Sequence, residues 1–300
     1  MKQKYLFTAL FLSVLFLFVS CKDTDLTPSY LIITEESLKN ALDMTNFNNI
    51  QGTNYDSHQL EAVASHNFKD VWVQINNDPR GVYRLPCKIP ILASDSVRVT
   101  LAPGIRMNGM ASTIPRYPVV TTFDRKVYIE KGSSYNFQST PIKFRYYTGV
   151  HFPLLENFEQ STSFSPRIEN EGSNFVIANV DGRTIGEIVL TDSTKFDILS
   201  TAMTLPGGNN IFLEIDYKCD NGFSVAAVLK NSSGVTVHEP LVNVRATKEW
   251  KKIYINLTQS VNRNLQSSGY AEEVRVNLSG FKDNDQQEVR FQMDNIKVVY

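Results

Sequence analysis

Hydrophobic and polar positions alternate along most of this chain with a period of two. Short runs rich in Val, Ile, Tyr, Phe and Thr are separated by clusters of Gly, Pro, Asn, Asp and Ser, the pattern of strands joined by turns. Asp70–Ile75, Ser96–Leu101 and Lys126–Glu130 read this way, as do Ile211–Tyr217, Lys251–Leu257, Glu273–Leu278 and Val289–Tyr300. Helical spacing is confined to Glu35–Asp43, where Thr34 is placed to cap. The expectation is an all-β chain, and strands at this spacing build sandwiches.

The pattern changes along the chain. Between residues 67 and 150 the strands are short and prolines recur at 79, 86, 90, 103, 115, 118 and 141. Proline is poorly tolerated in central strands, so a small sandwich with many edges and corners is expected there. After His151-Phe152-Pro153 the strands lengthen, and residues 151–300 read as a second sandwich. Residues 21–66 are polar and weakly patterned, and read as a tether.

The first 20 residues break the alternation. Lys2 and Lys4 precede an almost unbroken apolar run, Tyr5 to Val19, in which only Thr8 and Ser13 are polar. A bilayer core about 30 Å thick needs about 20 apolar residues to span, so this run fits the core of a cleaved signal peptide better. Leu17-Phe18-Val19-Ser20-Cys21 resembles the lipobox of bacterial lipoproteins in its relaxed Bacteroidota form, with bulky Phe18 departing from the stricter pattern. The resemblance implies cleavage after Ser20, lipid on Cys21 and a membrane partner reached through that lipid, without a spanning helix. Lys22-Asp23-Thr24-Asp25 resembles the acidic tag that sends such lipoproteins to the outer face of the outer membrane.

Composition narrows the function. Hydrophobic residues make up 42% and aromatics 11% of the chain, enough for real cores. The net charge is −1 and no basic stripe is present, so a nucleic-acid partner is not expected. Apart from Cys21 there are only Cys87 and Cys219, read as separate thiols in different domains.

Two further resemblances concern the domains. Trp72 to Pro86, followed by Ile89-Pro90-Ile91-Leu92 and Val97 to Ile105, is similar to the PEGA-type, Ig-like modules of bacterial envelope proteins, and to the first domain of uncharacterised Bacteroidota lipoproteins. That similarity implies a spacer or interaction module and no chemistry. Residues 151–300 resemble the jelly-roll carbohydrate-binding modules and their galactose-binding-like relatives. The likeness lies in Asn157-Phe158-Glu159, Phe212 to Tyr217, Glu249-Trp250-Lys251-Lys252-Ile253 and the closing Asp294-Asn295-Ile296. The expected fold is therefore an Ig/PEGA-like sandwich followed by a jelly roll. The same resemblance makes Glu159 and Asp294 the candidate ligands of a structural calcium ion; no cofactor is required.

Sugar recognition needs exposed aromatic faces flanked by amides and carboxylates. Most strand aromatics are expected in the core. Tyr270, in Gln266-Ser267-Ser268-Gly269-Tyr270, and Phe223, after Asp220-Asn221-Gly222, are the surface candidates; Trp250 is a third candidate, read more as core than as platform. No catalytic motif is present, and the four histidines, His58, His66, His151 and His238, lack metal-ligand spacing. His58 and His66 read as solvated. The sequence thus points to a non-catalytic envelope lipoprotein that holds a glycan. An assembly lipoprotein with protein partners is the alternative, and a glycan-active enzyme is the remote one.

Overall fold

The computed structural model describes residues 27–92, 95–168, 172–191, 194–283 and 286–300. The signal segment, Cys21 and the acidic tag lie outside these residues. Among the described residues, no helix is long and apolar enough to cross a membrane.

The first domain begins earlier than expected. β1 (Ser29–Ile33) pairs antiparallel with β4 (Cys87–Ile91) and parallel with β7 (Ser134–Asn136). A second sheet runs in the order β3 (Asp78–Arg84), β2 (Asp70–Ile75), β5 (Ser96–Gly104) and β6 (Phe123–Tyr128). The two sheets bury Leu31, Ile33, Val71, Val73, Val99 and Leu101 between them. Two short helices, α1 (Phe47–Gln51) and α2 (Ser57–Ala64), add Phe47 and Val63 to this core. The tether expected over 21–66 is therefore corrected from Thr27 onward: this stretch builds a strand, two helices and part of a core. The expected helix over Glu35–Asp43 is reduced to a single 3-10 turn at Glu36–Leu38.

Local chemistry accounts for two of these elements. Asp56 caps α2 by accepting from the Gln59 backbone N–H at 2.8 Å, while the Gln59 side chain accepts from the Asp56 N–H at 3.1 Å. This reciprocal box satisfies two otherwise orphaned donors. The β2–β3 hairpin turns on Asn76-Asn77, both with positive φ, as a two-residue hairpin turn of this hand requires. Pro79 is accommodated because β3 is the edge strand.

The second domain is a jelly-roll sandwich. Its first sheet runs β10 (Val176–Val180), β11 (Arg183–Thr191), β19 (Glu288–Val299), β14 (Phe212–Cys219) and β17 (Thr247–Asn256), with β8 (Leu154–Glu156) also on β19. The second runs β16 (Thr236–Val244), β15 (Phe223–Lys230), β18 (Tyr270–Phe281), β12 (Lys195–Ser200) and β9 (Phe164–Pro166), with β13 (Met203–Pro206) on β18. One helix, α3 (Thr258–Arg263), links β17 to β18. Phe158, Phe196, Leu213, Ile215, Phe291 and Met293 fill the space between the sheets. Gly186 on β11 makes room for the Phe158 ring: a Cβ there would sit 2.4 Å from it.

Burial on β14 and β19 does not alternate. Both strands are nearly continuously buried, the signature of a sheet covered on both faces. One face meets the second sheet. The other is covered by the first domain, whose core takes in Phe212, Tyr254 and Val299 from this sheet. The molecule is thus three layers deep where the domains meet.

Candidate functional site: the cleft between the domains

The outer face of the first sheet carries charge into this junction. Lys297 is fully buried. Its ammonium donates to the carbonyls of Ala62 (3.1 Å), Val63 (2.7 Å) and Ser65 (2.9 Å) at the C-terminal end of α2, where the helix carries partial negative charge. Glu214 Oε2 lies 3.4 Å from Lys297 and 3.5 Å from Lys252, and Lys252 reaches Asp216 at 3.0 Å. The Tyr117 hydroxyl donates to Glu214, and that of Tyr146 to the Val63 carbonyl. Two ammoniums and two carboxylates so form a neutral set bridging the domains.

Burial pulls the Lys297 ammonium down to about 8, with Glu214 opposing it. Burial would push the Asp216 carboxyl up, but Lys252, Asn295 and Arg183 hold it below the usual range. His66, read as solvated, is instead half-buried. Its Nε2 accepts from the Ala41 N–H at 3.0 Å, its ring stacks on Phe68, and burial lowers its pKa to about 3.

Beside this set a cleft of about 960 Å³ opens between the first-domain corner at Gly104–Gly109, the edge strand β17 and the end of β16. Trp250 and Tyr217 line it, together with Asn108, Asn243, Arg84, Arg106, Arg245 and Lys251. Asn108 has a positive φ and locks the corner to β17: its N–H donates to the Tyr254 carbonyl at 2.7 Å, and its Oδ1 accepts from the Asn256 N–H at 2.9 Å. Two of the cleft's acids are tied up. Asp70 accepts from Arg106 at 2.9 Å, and Glu35 from Lys69 at 2.7 Å. A second cavity of about 510 Å³ shares Glu35, Asn67 and Lys69 with the cleft, so the depression continues past that ion pair.

The residues singled out from sequence fall in different places. Trp250 does line the cleft, with the Arg183 guanidinium 4.2 Å from its ring centre on one face. Arg183 lies across three strands, bonded to Asp294 (2.6 Å) and Asp216 (3.0 Å) before it reaches Trp250. Tyr270 is exposed as expected, at the start of β18, but does not line the cleft. Phe223 requires a correction: it is 3% exposed and packs edge-on against Tyr217 in the core. It is the first residue of β15 and takes the inward phase of that strand, which the preceding polar turn concealed.

Glu159 and Asp294 do not act as a shared ligand pair. Asp294 holds Arg183, so a guanidinium supplies the positive charge there, and burial still pushes this carboxyl up to about 6. Glu159 faces His58 at 3.9 Å instead. Among the described residues, no group of three or more His, Cys, Asp or Glu is arranged to hold a metal. Cys87 and Cys219 are free thiols, one half-buried and one buried, and burial raises both to about 11.

The outer face of the second sheet bears a polar row. His238 Nε2 and Asn277 Oδ1 are 2.8 Å apart, and Asn277 Nδ2 donates to Asp197 at 2.6 Å. These groups satisfy one another, whereas Arg84, Arg245 and Lys251 in the cleft have no carboxylate partner among the described residues. Nothing local marked these three in the sequence, since Arg84 lies far along the chain from the β16–β17 stretch that carries Arg245 and Lys251.

No protein-family model matches the chain, and no curated protein does either. Solved structures similar to it include the family 11 carbohydrate-binding module of the cellulosomal cellulase Lic26A-Cel5E of Clostridium thermocellum. That likeness has 20% identity over 49% of this chain and 94% of that one, with a TM-score of 0.34. Another is the TmCBM61 module in complex with β-1,4-galactotriose, at 15% identity over 48% of this chain and 93% of that one, TM-score 0.33. A third is the CBM22-1-GH10 portion of xylanase Xyn10B of Clostridium thermocellum complexed with xylohexaose. It shows 14% identity and a TM-score of 0.35 over 50% of this chain, and this chain spans only 28% of its length. At such identities and TM-scores these likenesses carry no inference, and the fold rests on the strand pairing above.

Proposed function

We propose that this chain is a non-catalytic protein of the cell envelope, held by lipid on Cys21, that binds a glycan in the cleft between its two sandwiches. The observation that carries the proposal is the lining of that cleft. An indole, three carboxamides and several cations converge on about 960 Å³ at a domain junction. Ligand sites favour such junctions, and a few convergent polar groups beside an aromatic suit a hydroxyl-rich ligand. A glycosidase would need a cooperating pair of carboxyl groups, one of them kept protonated. Here Asp70 and Glu35 are each held by a basic partner.

A glycan-array screen of the purified chain is expected to give specific binding. Trp250→Ala is expected to weaken the strongest hit at least about tenfold, since stacking on an aromatic is worth about 1 kcal/mol or more beyond area burial. A second reading rests on β10, an edge strand with Val176 69% and Ile177 40% exposed, which suits a protein partner. Silence across the array, with capture of a defined envelope protein lost on Val176→Lys, would favour that reading instead.

A further inference from the structure

Resting on the reading of the cleft as a glycan site, we infer that its ligand is acidic: the cleft recognises a glycan bearing carboxylate or sulfate groups. The chain as a whole has a net charge of −1, so the charge of the cleft is a local feature. Two segments bring it together, one from each domain. Arg84 ends β3 in the first domain, Arg245 follows β16, and Lys251 lies on β17. All three side chains belong to exposed residues, and none forms an ion pair with a described carboxylate.

The nearby acids do not neutralise them. Asp70 stands opposite Arg84 in the β2–β3 register, but its carboxylate is engaged by Arg106 at 2.9 and 3.3 Å. Asp220 is engaged by Lys248 at 2.6 Å, and Glu35 by Lys69 at 2.7 Å. Glu249 is the one lining acid with no such partner, against three cations.

Unpaired guanidiniums presented from both walls of a polar cleft are donors in search of anionic acceptors, and their fork geometry matches carboxylate and sulfate oxygens. A neutral glycan would leave that geometry unused. Trp250, meanwhile, offers a surface to the sugar ring that does not depend on charge. The two contributions are therefore separable by substitution.

The test is a panel of oligosaccharides in which each uronate-containing member is paired with its carboxyl-reduced form and each sulfated member with its desulfated form. The carboxyl-reduced and desulfated arms tell which acidic group is read. The expected result is binding to acidic members that weakens with rising salt, with each neutral counterpart about tenfold weaker or worse. Combined Arg84→Ala, Arg245→Ala and Lys251→Ala should lower that affinity about a hundredfold while leaving the melting temperature unchanged, because all three residues are exposed. Arg84→Lys with Arg245→Lys, which keeps the charge and removes the fork, should recover only part of the binding lost in the alanine variant. Neutral counterparts bound as tightly as acidic ones, in a Trp250-dependent manner, would overturn the acidic preference and leave the cleft as a glycan site. Equal competition by inorganic polyphosphate would also overturn it, as it would show attraction to any polyanion. Absence of binding to every member, or indifference to Trp250→Ala, would remove both readings.

Discussion

Lys297→Ala is expected to destabilise the folded chain by about 3–5 kcal/mol, read as a lowered urea midpoint, although this residue does not line the cleft. The substitution would take the ammonium from three carbonyls at the end of α2, leaving Ala62 and Val63 with the Ser65 N–H and the Tyr146 hydroxyl, and would leave Glu214, 1% exposed, facing only Lys252 and Tyr117. An uncompensated buried charge costs far more than the pair contributes. Lys297→Met combined with Glu214→Leu should therefore recover part of the loss. If the double variant is no more stable than Lys297→Met alone, the two residues are not coupled.

The same lysine shapes the pH dependence. Its folded pKa of about 8 lies below the ordinary 10.5, so between those values the unfolded chain holds a proton that the folded chain has released. Stability contributed by this group thus rises with pH from about 8 toward 10.5. Above about 10 the trend reverses. Burial holds the hydroxyls of Tyr117, Tyr146 and Tyr254 protonated well beyond the usual range, so the unfolded chain then releases protons first. Urea midpoints of the native chain should show a shallow alkaline maximum, and Lys297→Ala should lack its rising limb.

The second large effect concerns the jelly roll in isolation. Residues 151–300 expressed alone are expected to be about 5–9 kcal/mol less stable than the same residues within the whole chain. Phe212, Tyr254 and Val299 would pass from the first domain's core to water, at about 1.5–3 kcal/mol each. The native chain should correspondingly melt in one calorimetric transition. Two separated transitions, with the upper one matching the isolated fragment, would show that the shared core does not couple the domains.

That coupling was not readable along the chain. The strands of the second domain announce themselves because alternating apolar positions and polar turns are local signals, and the expected strand at Asp70–Ile75 is β2 itself. Residues 27–66 differ from the expected tether for the opposite reason. β1 finds its partners at Cys87–Ile91 and Ser134–Asn136, and a five-residue strand with distant partners leaves little local trace. The Asp56 and Gln59 capping box is a local helix start, but the eight-residue helix after it has too weak an apolar stripe to stand out. Trp250 reads from sequence more as core than as platform, and the structure places it in the cleft lining. Arg84, Asn108, Arg245 and Lys251 carry no local mark: Arg245 and Lys251 share the β16–β17 stretch, and only the folding of one sandwich against the other sets them beside Arg84 and Asn108. Phe223 shows the limit of turn signals: the turn was placed correctly, and the phase of the strand after it was not.

The most direct measurement is hydrogen exchange on the full chain with and without a bound oligosaccharide from the array. The cleft as binding site predicts slowed exchange at residues 104–109 and 242–251, in both domains at once. Protection confined to the outer face of the second sheet, around Asp197, His238 and Asn277, would place the ligand elsewhere and contradict it.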